Sequence, residues 1–200
     1  MSKQIWKPGN MLYPLPAVMV SCGRYAAPGD EARCNIFTAA WTGTICSDPA
    51  MTYVSIRPSR YSHGMIRETG EFVINLTSAA LTQAMDFCGV RSGRDIHKFK
   101  QLGLTPQKAA YVSAPLIEES PVNLECRVTQ ILPLGSHDMF MAEILSVRVD
   151  EALLDDQGRL QLEKAHLTAY SHGTYYELGK PLGTFGYSVR KPDKKGGKRK

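Results

Sequence analysis

Two long alternating runs constrain this chain most: VNLECRVTQIL at 122–132 and MFMAEILSVRVD at 139–150. Successive side chains of a strand point to opposite faces. Val122, Leu124, Cys126 and Val128 therefore share one face, with polar residues on the other. Phe140, Ala142 and Ile144 share a face in the second run, with Glu143 opposite. The intervening PLGSHD is a turn signal, so the pair reads as a long antiparallel hairpin. Four shorter segments, AVMVSC (17–22), NIFTAAWT (35–42), MTYVSIR (51–57) and EFVINLT (71–77), are β-branched or aromatic and bounded by Gly, Pro, Asp or Ser.

Helical signals are fewer. SRYSHGMIRETG (59–70) offers a serine cap and a stop at Gly70. TSAALTQAMDFCG (77–89) places Leu81, Ala84, Met85 and Cys88 at helical spacing and ends at Gly89. DIHKFKQLG (95–103) offers Asp95 as a cap, Phe99 and Leu102 on one face, and Gly103 as a stop. After residue 150 a DDQG loop precedes LEKAHLTAYSHGTYYELG, read as a strand or turn with a short helix. Sequential strands with few helices predict a mainly β protein, an antiparallel β-barrel with short helical insertions.

The net charge of +5 belongs to one end. Residues 190–200 hold seven cations against Asp193, a net +6, which leaves −1 for residues 1–189. The expected organisation is one domain over 1–189 and a flexible basic tail over 190–200. Aromatics are absent from the tail, which makes nucleic acid an unfavoured partner. The apolar runs are far short of the roughly 20 residues a membrane helix needs, and MSKQIWKPGN has no signal-peptide core. The five cysteines are widely spaced without CxxC, so they read as reduced thiols of a cytoplasmic protein.

Three stretches carry chemistry. SIRPSRYS (55–62) follows a strand and presents Arg57, Arg60, Ser55, Ser59 and Ser62. Guanidinium forks and hydroxyls suit a phosphate, and a helix starting near Ser59 adds backbone N–H donors. A polar turn with surface arginines explains the run equally well. NIFTAAWTGTICSDP (35–49) contains Thr38, Ala39, Ala40, Thr42, Gly43 and Thr44 around Trp41. Small residues let a flat ligand lie against the backbone, and threonine hydroxyls could meet its edges; a close strand crossing inside the core explains them too. CGVRSGRDIHKF (88–99) sets Arg91, Ser92, Arg94 and Lys98 around Gly93, an anion-facing loop or a solvated one. No P-loop, GxGxxG, HExxH or Ser/His/Asp order is present, so in an enzyme a bound cofactor would carry the reactivity.

Together with YPLPAVMVSCG (13–23), TGEFVINL (69–76), APLIEESPVNLEC (114–126), PLGSHDMFMAEI (133–144) and AYSHGTYYELGKPLGTFGYSVRK (169–191), these stretches resemble the flavin reductase-like family, most closely its flavoredoxin-type members. The likeness runs from about Tyr13 to Lys191 and rests on the order and spacing of the motifs. It implies an FMN-binding split barrel, a Greek-key antiparallel barrel, in a homodimer with FMN near the subunit interface. Asn35, Thr38, Ala39, Ala40, Trp41 and Thr42 match positions beside the flavin ring and ribityl chain. Ser55, Ile56, Arg57, Ser59, Arg60 and Ser62 match the phosphate end. Ser92, Gly93, Arg94 and Lys98 match a loop that closes on the cofactor, and His137 and Tyr170 match late positions from either subunit. No protein side chain is expected as acid, base or nucleophile. The implied activity is an FMN-dependent oxidoreductase, a flavin reductase fed by NAD(P)H. Its alternatives are a flavoredoxin-type electron carrier between redox proteins and a non-catalytic FMN module.

Overall fold

The computed structural model describes residues 1–190; the expected tail beyond Arg190 lies outside the described residues. In chain order the elements are β1 (Leu15–Pro16), β2 (Val18–Gly23), β3 (Cys34–Ala39), β4 (Thr42–Ser47), β5 (Ala50–Ile56), α1 (Tyr61–Thr69), β6 (Glu71–Leu76), α2 (Thr82–Val90), α3 (Lys98–Leu102), β7 (Pro106–Gln107), β8 (Leu116–Ile117), β9 (Val122–Pro133), β10 (Asp138–Val149), β11 (Thr168–Ser171) and β12 (Thr174–Glu177). The main sheet has seven strands in the order β3-β2-β6-β9-β10-β5-β4. All its pairings are antiparallel, and its centre is the expected hairpin β9–β10, turned at Gly135 with φ +91°.

The order has a geometric consequence. β3 and β4 are the outermost strands, yet only Ala40 and Trp41 join them. Laid flat, strands about 4.8 Å apart would put the edges about 29 Å apart. The steps from Ala39 to Thr42 reach about 11 Å. The sheet therefore curls until its edges meet, forming a barrel. No ladder pairs β3 with β4 among the described residues, so the barrel is split along that seam.

Alternate residues fill the barrel. Val18, Val20, Cys22, Val54, Ile56, Phe72, Ile74, Cys126, Phe140 and Ala142 form one cluster, joined by Ile66 of α1. The opposite faces of β2 and β3 present Met19 and Ile36 to Met85 and Cys88 of α2, Phe99 of α3 and Ile117 of β8. β2 is thus covered on both sides, which its uniformly apolar run VMV anticipates.

Several expectations change in the structure. NIFTAAWT is not one strand; the chain leaves β3 at Ala39 and enters β4 at Thr42. α1 is capped at Arg60 rather than by a serine side chain, and α3 at His97 rather than Asp95. α2 begins at Thr82, after a short 3-10 turn, and runs one residue past Gly89. Gly70 and Gly103 do end their helices, both at positive φ. The polar face of β9 is buried in its first half, at Asn123 and Glu125, where the segment before β8 lies over it, and exposed at Arg127 and Thr129. Glu125 is fully buried and accepts from the N–H of Ala110 (3.1 Å) and Tyr111 (2.6 Å), with Arg148 at 3.3 Å. The segment after residue 150 supplies the hairpin β11–β12, and β11 pairs with β1.

Phe140 is fully buried inside the barrel. Phe140→Ala is expected to lower unfolding free energy by about 3–5 kcal/mol in urea melts, whereas a loss below about 1 kcal/mol would mean that this interior is not close-packed.

Candidate functional site

A cavity of about 880 Å³ opens along the seam. Its first wall is β3 and the link to β4: Asn35, Phe37, Thr38, Ala39, Ala40 and Trp41. Its second is the end of β5 and the start of α1: Ser55, Ile56, Arg57, Ser59, Arg60, Tyr61 and Ser62. The end of α2 and the following loop add Asp86, Cys88, Gly89, Val90, Arg91, Ser92 and Gly93, with Lys98 beneath. Ser136 and His137 come from the β9–β10 turn, Tyr170 and Tyr175 from β11 and β12, and Asn10 and Ala17 from the N-terminal segment. The backbone ties the two walls together, since Ser55 N–H donates to the Trp41 carbonyl at 2.9 Å.

The start of α1 is the basic end. Arg57 and Arg60 are exposed, and a tight turn joins them through Arg60 N–H to the Arg57 carbonyl at 2.9 Å. Because Arg60 occupies the cap position without a side-chain cap bond, the Ser59 hydroxyl is not used to start the helix. His63 N–H turns back to the Arg60 carbonyl at 3.1 Å, and the N–H groups of Tyr61 and Ser62 have no partner within the helix. Ser62 is buried and accepts from Asn35 Nδ2 at 2.8 Å, joining α1 to β3. His63, one residue on, bonds Asp138 at 2.8 Å and so ties α1 to the start of β10.

Besides Asn35 and Ser62, three further expected ligand residues are engaged within the protein. The Thr38 hydroxyl donates to the Met85 carbonyl. Thr42 is buried outside the cavity lining and donates to the Tyr53 carbonyl at 2.5 Å. Lys98 is 4% exposed, and its ammonium donates to the carbonyls of Ile36 (2.6 Å) and Cys88 (2.8 Å), which bolts β3 to the end of α2. Burial pulls its pKa down. An ammonium has three N–H donors, so Lys98 keeps one beyond those two carbonyls. Arg94 also stands outside the lining, its guanidinium 5.8 Å over the Tyr61 ring. The remaining expected residues, from Asn35 to Tyr170, all border the cavity.

The glycine in this loop is required by a close approach. A Cβ on Gly93 would lie 2.2 Å from Asn35 Oδ1, so only glycine lets the loop lie against that carboxamide. Across the cavity mouth Trp41 and His137 lie parallel, centroids 6.4 Å apart. Burial, then the nearby Arg57 charge, pushes the His137 pKa down, which favours a neutral ring at neutral pH. At the other end the Tyr175 hydroxyl donates to Asp86 Oδ1 at 2.8 Å, and Tyr170 packs 5.8 Å from Tyr175.

Sequence reasoning missed Asp86, Tyr61, Tyr175 and Asn10 as lining residues, whereas Arg91 was already read as part of an anion-facing loop. Tyr61 sat inside a stretch already singled out, and Tyr175 inside the late aromatic run. Asp86 and Asn10 carry no local signal at all.

A family model described as "Flavin reductase like domain" matches residues 11–179. This chain belongs to that family. Flavoredoxin of Desulfovibrio vulgaris (Miyazaki F) is 31% identical with a TM-score of 0.85, covering 94% of this chain and 100% of that one. An uncharacterised protein of Archaeoglobus fulgidus is 34% identical over 144 residues, 72% of this chain and 77% of its own. An NADPH-flavin oxidoreductase of Streptomyces viridifaciens is 29% identical over 113 residues, 56% of this chain and 57% of its own. Every lining residue except Asn10 falls within the family match.

Burial first, then the bond to Asp86, raises the Tyr175 phenol from 10.0 to about 12. The folded state thus holds this proton more tightly than the unfolded chain. Its contribution to stability is complete below pH 10 and is lost as pH rises through 12. An alkaline absorbance titration should show a late-ionising phenol that disappears in Tyr175→Phe; identical titration curves would contradict the Asp86 bond.

Proposed function

We propose that this protein binds FMN in the seam cavity and acts as an oxidoreductase, taking electrons from NAD(P)H or a redox protein and passing them to an acceptor. The observation that carries the reading is the arginine pair at the start of α1. Arg57 and Arg60 have no ion-pair partner among the described residues, and they border a cavity whose other wall is flat and small-chained. A phosphate monoester carries about −1.5 to −2 charge at neutral pH. Two guanidiniums, the hydroxyls of Ser55 and Ser59 and the N–H groups of Tyr61 and Ser62 at the start of α1 match that charge and its acceptor oxygens. Ser62 and Asn35, bonded to each other, fix where the α1 start sits against β3.

The rest of the cavity suits a planar heterocycle. Ala39 and Ala40 leave space beside the backbone, while Trp41, His137 and Phe37 supply flat or apolar surface that excludes water. The loop over Gly93 closes the side of the site against Asn35. Bound FMN supplies the hydride or electron chemistry, so the protein's part is to hold, orient and shield. Cys88 is buried, its thiol pushed up to about 11, and Lys98 is held by carbonyls, while the Ser136 hydroxyl lies 2.9 Å from His137 Nδ1 in the exposed β9–β10 turn.

The alternative within this reading is a flavoredoxin-type carrier that exchanges electrons with protein partners, and the 31% identity to a flavoredoxin favours keeping it. We also take the protein to be a homodimer. Ile5, Trp6, Leu182 and Phe185 lie on arms outside the barrel and are at least 73% exposed. Such apolar side chains need a surface to cover them. The arms leave the body near β1 and β12, beside the Asn10 and Tyr175 end of the cavity.

FMN and riboflavin titrations test the cofactor reading. Arg57→Ala should weaken FMN binding by about tenfold, the worth of one charge-assisted hydrogen bond, and leave riboflavin binding unchanged; equal FMN affinity would remove Arg57 from the phosphate site. Sedimentation should give a dimer, and a monomer at micromolar concentration would contradict the covered-arm reading.

A further inference from the structure

Asp138 stands outside the cavity lining, yet it is joined to both ends of the segment that carries the arginine pair. It opens β10 and is paired on both sides, with Pro133 of β9 and with Ile56 of β5. Ile56 is the last residue of β5, and Arg57 follows it. At the other end of the segment, His63 lies in the first turn of α1, just after Ser62. Its Nε2 is 2.8 Å from Asp138 Oδ2. A carboxylate only accepts, so the ring donates through that nitrogen. One residue thus fixes where residues 57–62 leave the sheet and where they enter the helix.

The bond is sheltered. His63 is 6% exposed and the Asp138 side chain 14%. The His63 ring meets Phe140 of the barrel interior edge-on, centroids 5.2 Å apart. Low local dielectric strengthens a hydrogen bond of this kind. Two consecutive turns pass the position of His63 back along the segment. His63 N–H donates to the Arg60 carbonyl at 3.1 Å, and Arg60 N–H donates to the Arg57 carbonyl at 2.9 Å. The same bond occupies the carboxylate. Among the described residues Asp138 pairs with His63 and with neither Arg57 nor Arg60, which leaves both guanidiniums free for an anion.

Resting on the FMN reading, we propose that His63 and Asp138 are a positioning pair that staples residues 57–62 at both ends and so shapes the segment for a phosphate monoester before one arrives. Donors that are already held in place lower the ordering cost of binding. Neither residue borders the cavity; both act through Arg57, Ser59, Arg60 and the N–H groups of Tyr61 and Ser62. A buried pair that served the fold alone would stabilise the barrel without favouring FMN over riboflavin, which has the same ring and no phosphate.

FMN and riboflavin titrations of the full chain separate the two roles, read as the ratio of the two affinities. His63→Leu should lower that ratio about tenfold through weaker FMN binding, with riboflavin affinity unchanged. His63→Gln, whose carboxamide N–H can replace Nε2–H, should recover most of the loss. His63→Leu also leaves a buried carboxylate without its partner, which is destabilising, so the double variant His63→Leu/Asp138→Leu is measured beside it. Removing both partners together costs the fold little, and the double variant should keep the lowered ratio. An unchanged ratio in His63→Leu, or equal losses of FMN and riboflavin, overturns the positioning role. A ratio restored in the double variant also overturns it, because the loss would then come from a freed carboxylate competing for the arginines. Wild-type protein that binds FMN no better than riboflavin removes the phosphate reading itself, an outcome seen before any variant is made.

Discussion

The link Ala40–Trp41 is where this fold is decided. Two residues join strands that sit at opposite ends of a seven-strand order, so the sheet can exist only as a barrel. Antiparallel ladders run from β3 around to β4 and stop there. What the ladders leave unpaired becomes the mouth of a cavity, floored by small residues because the backbone must pass close. The seam, the flat wall and the position of Trp41 are one consequence of one connection.

Holding such a seam open requires that its walls be tied elsewhere. The ties are polar and buried. Lys98 bridges β3 and α2, Asn35 bridges β3 and α1, and His63 bonds Asp138 to join α1 to β10. Glu125 performs the same task on the outer face of β9, where two backbone N–H groups and Arg148 surround it. Buried polar groups left without partners are costly, so each tie fixes geometry as well as position. Around the cavity this leaves the arginines as the charged groups not committed to the fold, which is why the proposed phosphate is placed against them.

Local chemistry made much of this legible. Alternation gave the β9–β10 hairpin, β-branched runs marked the shorter strands, and Gly70 and Gly103 stopped their helices where expected. The three stretches singled out by composition supply most of the cavity lining. What was hidden depends on distance along the chain. Ala40 and Trp41 have no turn signature, so the break between β3 and β4 follows from closure of the sheet and not from those residues. The hydroxyls of Thr38 and Thr42 looked like free donors, but carbonyls of Met85 and Tyr53 claim them. Lys98 looked like a loop cation and is a buried strut. Asp86 reaches the cavity only because Tyr175, from the far end of the chain, comes to meet it.

The central claim is that the split seam of this family member is a flavin site. The most direct measurement is the visible absorption spectrum of the protein after incubation with FMN and desalting, followed by anaerobic addition of NADPH. The account predicts a yellow protein that keeps its flavin bands through desalting and bleaches with the nicotinamide; bleaching only with dithionite would assign it the carrier role. A folded protein that emerges colourless would contradict the account, because a cavity with uncommitted arginines and a flat wall would then be holding something other than FMN.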